Sequence, residues 1–147
     1  MVRAQHASGV AARVVNGGET IPATICWSVP QATQEALQVI DTIRVTEDGA
    51  EGVALAFVHE RSRWTVDRRV QRDGYADWLL SSPSQQQMAL VLEVSGTEVG
   101  SAQSRLHEKL AQVAKGAKQD RRIRAAVVVG FDEPCVLAAI VGGGGVP

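Results

Sequence analysis

Ala89-Leu90-Val91-Leu92-Glu93-Val94-Ser95-Gly96 is the stretch on which the reading of this chain turns. A short, nearly continuous aliphatic run is the pattern of a strand covered on both faces. Packing alone gives such a strand no use for a carboxylate, so Glu93 stands out. Upstream, Gly74-Tyr75-Ala76-Asp77-Trp78-Leu79-Leu80 is a second apolar run interrupted by an acid. Side chains two apart on a strand share a face and lie about 7 Å apart. Glu93 and Ser95 therefore point the same way, and Asp77 can lie near Glu93 if the two strands pair antiparallel. Two carboxylates held together repel each other, and a hard divalent cation relieves that repulsion.

The neighbouring segments read outward from this strand. Thr97–Ser101 is a glycine-containing turn. A helix from about Ser101 to Lys115 buries Ala102, Leu106, Leu110, Val113 and Ala114 and stops at Gly116. Arg124–Phe131 and Val136–Val141 are further strands. The path from Met88–Val94 through the helix to Arg124–Phe131 is expected to be a right-handed parallel crossover. On the other side, Trp64–Gln71 and Tyr75–Leu80 are strands joined at Asp73-Gly74, and Ser81–Gln87 is a polar loop.

Residues 10–27 form a predicted hairpin, turning at Asn16-Gly17-Gly18, with Pro22 marking an edge strand. Ser28 caps a predicted helix over 31–43, with Ala32, Ala36, Val39, Ile40 and Ile43 on one stripe. Glu47–Gly52 reads as a loop. Residues 53–58 suit either a strand or a short helix, and their length favours the strand. The fold class is α/β: a single domain with a mixed β-sheet flanked by two helices and an N-terminal β-hairpin. Residues 1–9 are expected to be disordered, 10–141 to form the domain, and 142–147 to be a flexible glycine-rich tail.

With 147 residues the chain suits one hydrophobic core, and its 45% apolar and 21% charged content is that of a water-soluble domain. No run is long and apolar enough to span a membrane, and the start lacks the apolar core of a secretory signal. Cys26 and Cys135 form no zinc pattern. A cytoplasmic protein with no membrane partner is expected. The net charge of −1 hides a segregation: residues 1–60 carry −4, residues 61–124 carry +5, and the remainder −2. The basic block contains Arg61, Arg63, Arg68, Arg69 and Arg72. These can contact nucleic-acid phosphates, or they can be the solvated face of exposed strands.

Asp77, a loop, Glu93-x-Ser95 on an apolar strand, an amphipathic helix and a further strand together resemble the PD-(D/E)XK nuclease superfamily. Restriction endonucleases, RecB-like exonucleases and Holliday-junction resolvases belong to it. The likeness covers residues 53–141. It implies a restriction-endonuclease-like core in which Asp77 and Glu93 ligate Mg²⁺ (or Mn²⁺) for hydrolysis of a DNA phosphodiester. The family pattern wants lysine at 95, where this chain has serine. Some members carry the lysine on the following helix, and Lys109 is the residue available there. The catalytic set implied is Asp77, Glu93 and Lys109. Gln112 resembles the helix glutamine of RecB-like members, and Glu60 is a candidate upstream acid.

Two other readings stand beside this one. Ser95, the small size and the glycine-rich end suit a catalytically inactive pseudo-nuclease, a binding or assembly module in a larger complex. The chain is too small to carry its own target-recognition domain, so activity would need a homodimer or a protein partner. Alternatively the fold is unrelated and the acids are ion-paired, Asp77 with Arg68, Arg69 or Arg72, and Glu93 with Arg124 or Lys109. His59-Glu60 is too short for a metal motif, and Ser95–Ser101 lacks the ending of a phosphate-binding loop.

Overall fold

The computed structural model describes residues 9–26, 42–70, 76–84, 88–116 and 122–147. The aliphatic run around Glu93 is the long strand β5 (Ala89–Thr97) at the heart of a seven-stranded mixed sheet. Its neighbours are β4 (Trp78–Ser81), antiparallel, and β6 (Ile123–Gly130), parallel. Helix α2 (Ala102–Lys115) links β5 to β6, as the sequence predicts. Ser101 caps α2, its Oγ accepting from the Ser104 amide at 3.2 Å. Outside β4 lies β3 (Thr65–Arg69), shorter than the predicted Trp64–Gln71. On the other side of β6 come β7 (Cys135–Ile140), then β1 (Gly9–Asn16) and β2 (Glu19–Cys26), the predicted hairpin. The order is β2-β1-β7-β6-β5-β4-β3.

The first helix corrects the sequence reading. Helix α1 runs Thr42–Ser62. It includes Glu47–Gly52, expected as a loop, and residues 53–58, expected as a strand. The segment 31–41, where a helix was expected, lies outside the described residues, as do residues 1–8. The physical reason for α1 is a spacing of four: Thr46, Ala50, Ala54 and Val58 are all buried. Gly49 and Gly52 lower its propensity without breaking it. Small side chains on that stripe let the helix sit close to the sheet. Gly96 completes the fit, since a Cβ there would lie 2.8 Å from the Thr46 carbonyl oxygen.

The alternation of β5 divides the core. Leu90, Leu92 and Val94 join Ala125, Val127 and Val129 beneath Ala50, Ala54 and Val58 of α1. On the opposite face Val91 meets Val113 of α2, and Ala126 and Val128 meet Leu106. The helices therefore cover opposite faces of one sheet. Glu93 and Ser95 share the α2 side with Val91.

The glycine-rich end, expected as a flexible tail, folds back on the domain. Gly142, Gly143 and Gly144 take φ near +95°, a reversal that glycine makes without strain. Val146 is buried, its amide donating to Asn16 Oδ1 at 2.6 Å and its carbonyl accepting from Nδ2 at 3.1 Å. Trp64 Nε1 donates to the Pro147 carbonyl at 2.7 Å. No helix among the described residues is long and apolar enough to cross a membrane.

Candidate functional site

The register of β4 on β5 builds the site. Trp78 lies opposite Leu92, and Asp77, the residue before it, sits alongside Leu92–Val94. Two hydrogen bonds fix Asp77 there: its amide donates to the Leu92 carbonyl at 2.9 Å, and its Oδ2 accepts from the Val94 amide at 2.8 Å. Asp77 thus holds the residues on either side of Glu93. Among the described residues, Arg68 and Arg69 do not hold it; the β5 backbone does.

Glu93 is 3% exposed. Lys109 comes down from α2 and donates to Glu93 Oε1 at 2.5 Å, and also to Gln112 Oε1 at 3.2 Å. Glu93, Lys109 and Gln112, separated in sequence, therefore gather at one sheet position, with Asp77 near enough for its charge to act on Glu93. Burial pushes the Glu93 carboxyl above the usual carboxylate range. The hydrogen bond from Lys109 opposes this, and the Asp77 charge adds to it. Arg124 does not reach Glu93. It closes the C-terminus of α2 through the Val113 and Gly116 carbonyls at 3.3 and 2.7 Å.

Sequence reasoning missed two residues here. Glu51 of α1 also has a raised pKa, from burial first, with Arg69 opposing and Asp77 adding. Asp77 is thus electrostatically coupled to acids on both sides. Glu51 escaped notice because its segment reads as a loop; the four-residue spacing of its buried neighbours was the signal. Glu60, the acid chosen instead, is exposed at the far end of α1 and lies 3.8 Å from Arg63. The second is Arg105, one turn before Lys109. Its Nε donates to Ser95 Oγ at 3.1 Å. The Ser95 hydroxyl thus anchors a guanidinium from α2.

The expected basic patch does not gather around Glu93. Arg61 pairs with Glu19 at 2.9 Å and Arg69 with Glu51 at 2.5 Å. Arg69 also lies over the Trp78 ring, 5.2 Å from its centre. Arg63 ends α1 in the left-handed conformation, and Arg68 is exposed on β3. Arg72 lies outside the described residues. Arg69 and Glu51 belong to the α1 side of the sheet, whereas Lys109 approaches Glu93 from the α2 side.

Chemically, Asp77 and Glu93 offer hard oxygen donors, which suit Mg²⁺ or Mn²⁺. A cation there would share Glu93, a buried carboxylate that feels the Asp77 charge, with Lys109, which already supplies one positive charge. Among the described residues no three of His, Cys, Asp and Glu gather as a complete coordination set. A cation would draw its remaining ligands from backbone carbonyls or water. Comparison of the chain with protein-family models, with curated proteins and with solved structures finds no match.

Proposed function

We propose that this protein is a nuclease-like, metal-dependent phosphodiesterase acting on DNA, with Asp77 and Glu93 as cation ligands and Lys109 as the charge-stabilising residue. One observation carries the reading. Lys109, named from sequence as the displaced lysine of the PD-(D/E)XK-like pattern, is hydrogen-bonded to Glu93, and Asp77 is hydrogen-bonded to Leu92 and Val94 on either side of it, which supports the reading. A bound divalent cation supplies Lewis acidity toward a phosphate oxygen and lowers the pKa of a water. Asp77 and Glu93 orient it. Lys109, steadied by Gln112, places a positive charge where negative charge develops on the phosphate. Arg61, Arg63, Arg68, Arg69 and Arg72 are candidate phosphate contacts, and a homodimer or protein partner would supply target recognition.

The second reading is the pseudo-nuclease. The Lys109–Glu93 contact favours it, because an internal cation already meets the demand that a metal would meet. One experiment divides the two. If the enzyme reading holds, Mg²⁺ or Mn²⁺ raises the melting temperature by mass action. Asp77→Asn removes that response with the fold intact, and Lys109→Ala keeps the response but loses DNA cleavage. No cation response and no cleavage, with salt-sensitive DNA binding retained, identifies the binding module. Loss of DNA binding as well removes the nucleic-acid reading altogether.

A further inference from the structure

Beyond the Glu93 cluster, the α2–β5 seam continues into a cavity of about 520 Å³ between α1 and the start of α2. Ser95 lies on its floor and Arg105 on its wall, with the hydroxyls of Thr97, Ser101 and Ser104 around them. Ser95 is buried and accepts from Arg105 Nε at 3.1 Å; Arg105 Nη1 lies 3.2 Å from the exposed Glu108. A guanidinium carries five N–H donors in a planar fork. Among the described residues Arg105 bonds through Nε and Nη1, leaving Nη2 without a hydrogen-bond partner on a residue that lines the cavity.

The spacing matches a polymeric substrate. On β5, Glu93 and Ser95 are two apart on one face, about 7 Å. On α2, Arg105 and Lys109 are four apart, neighbours on one side of the helix. The seam therefore repeats itself: a cation on Glu93, then a cation on Ser95, separated by roughly the step between successive phosphates of one strand. Glu47, Glu98 and Glu108 also line the cavity, so its wall beyond Arg105 repels further anions. The arrangement suits one phosphate followed by the neutral face of a nucleotide.

We propose that Arg105, positioned by Ser95, binds the phosphate adjacent to the one held at Asp77–Glu93–Lys109, and that the cavity receives the attached nucleotide of a single strand. The proposal rests on the nucleic-acid reading above. It differs from the arginine patch of α1 and β3, because the strand lies along α2.

The test is anisotropy titration of a fluorescein-labelled single-stranded DNA oligonucleotide at several salt concentrations, with melting curves confirming that each variant is folded. Arg105→Ala should weaken binding and lower the slope of log affinity against log salt by about 0.7, the loss of one phosphate on a single strand. Arg105→Lys should keep the slope but weaken binding, and Ser95→Ala should weaken it less than Arg105→Ala. Glu108→Gln should tighten binding by freeing Nη1. An oligonucleotide with one uncharged methylphosphonate linkage next to the cleaved position should bind wild type more weakly and Arg105→Ala no more weakly than the unmodified strand. If wild type binds and Arg105→Ala keeps the full slope, this contact is wrong while the metal site stands. If the slope depends on Arg105 but Mg²⁺ gives no response, the contact stands and the chemistry fails. If wild type does not bind DNA, both are wrong.

Discussion

At the scale of the residue, Glu93 sets the conditions. Its carboxyl binds a proton more tightly in the folded protein than in the unfolded chain, chiefly through burial. Its contribution to stability is therefore complete below its unfolded value and is lost as pH rises through the raised folded value. Lys109 limits that loss. Lys109→Met leaves the carboxylate buried without its partner and should cost about 3 kcal/mol near pH 7. The deficit should shrink as pH falls toward 4.5, because a protonated Glu93 no longer needs the ammonium. Urea unfolding of both proteins across that range checks the sign; a deficit independent of pH would mean Glu93 is already neutral in the parent. Arg63 offers a second residue-scale prediction. Its φ of 58° is left-handed, where its side chain is strained, and its amide closes α1 on the His59 carbonyl at 2.7 Å. Arg63→Gly should raise stability by up to about 1 kcal/mol. Any DNA affinity lost in that variant then reports the charge and not the fold.

At the scale of the element, a glycine of α1 and a glycine of the strand beneath it respond to substitution in opposite ways. A Cβ on Gly52 would meet nothing within 4 Å. Gly52→Ala should therefore stabilise the protein by about 0.5–1 kcal/mol, through helix propensity and a less free unfolded chain. Gly96 on β5 is the reverse case. Its added Cβ would meet the Thr46 backbone oxygen at 2.8 Å and Ala50 Cβ at 3.1 Å. Gly96→Ala must push α1 off the sheet and should cost about 1–3 kcal/mol. Thermal or denaturant melts of the two variants should move in opposite directions. Equal small shifts would mean that α1 is not seated on β5 as described. The element scale is also where the sequence was least legible. Gly49, Gly52 and the surrounding acids carry the local signals of a loop, while burial of Thr46, Ala50, Ala54 and Val58 comes from packing against a sheet not yet visible in one segment.

At the scale of the whole molecule, the last residues tie distant parts together. Asn16 at the end of β1 holds both backbone groups of Val146, and Trp64 at the end of α1 holds Pro147. Gly17 and Gly145 pack so closely that a Cβ on Gly17 would lie 2.0 Å from the Gly145 nitrogen. Asn16→Ala removes two buried hydrogen bonds and should cost about 2–3 kcal/mol. Hydrogen exchange at the Val146 amide should accelerate in the same variant. Unchanged exchange would show that the chain end is held by Trp64 alone.

The sequence by itself determined most of the strands, residues 53–58 excepted. The aliphatic run with its single acid, the hairpin at Asn16-Gly17-Gly18, and the stripe of Leu106 and Val113 on α2 are local patterns, written in the alternation or spacing of neighbouring residues. It also marked Asp77 and Glu93, because a charge within an apolar strand has no packing use, and Lys109 through the resemblance to a pattern whose lysine moves to the helix. Only the tertiary structure decided how those residues meet. Strand pairing bound Asp77 to Leu92 and Val94, the crossover through α2 brought Lys109 onto Glu93 and Arg105 onto Ser95, and the fold-back of the glycine-rich end buried Val146. Each depends on pairing between segments far apart in the chain. Such pairing is set by the best joint burial of all of them, which no single segment carries.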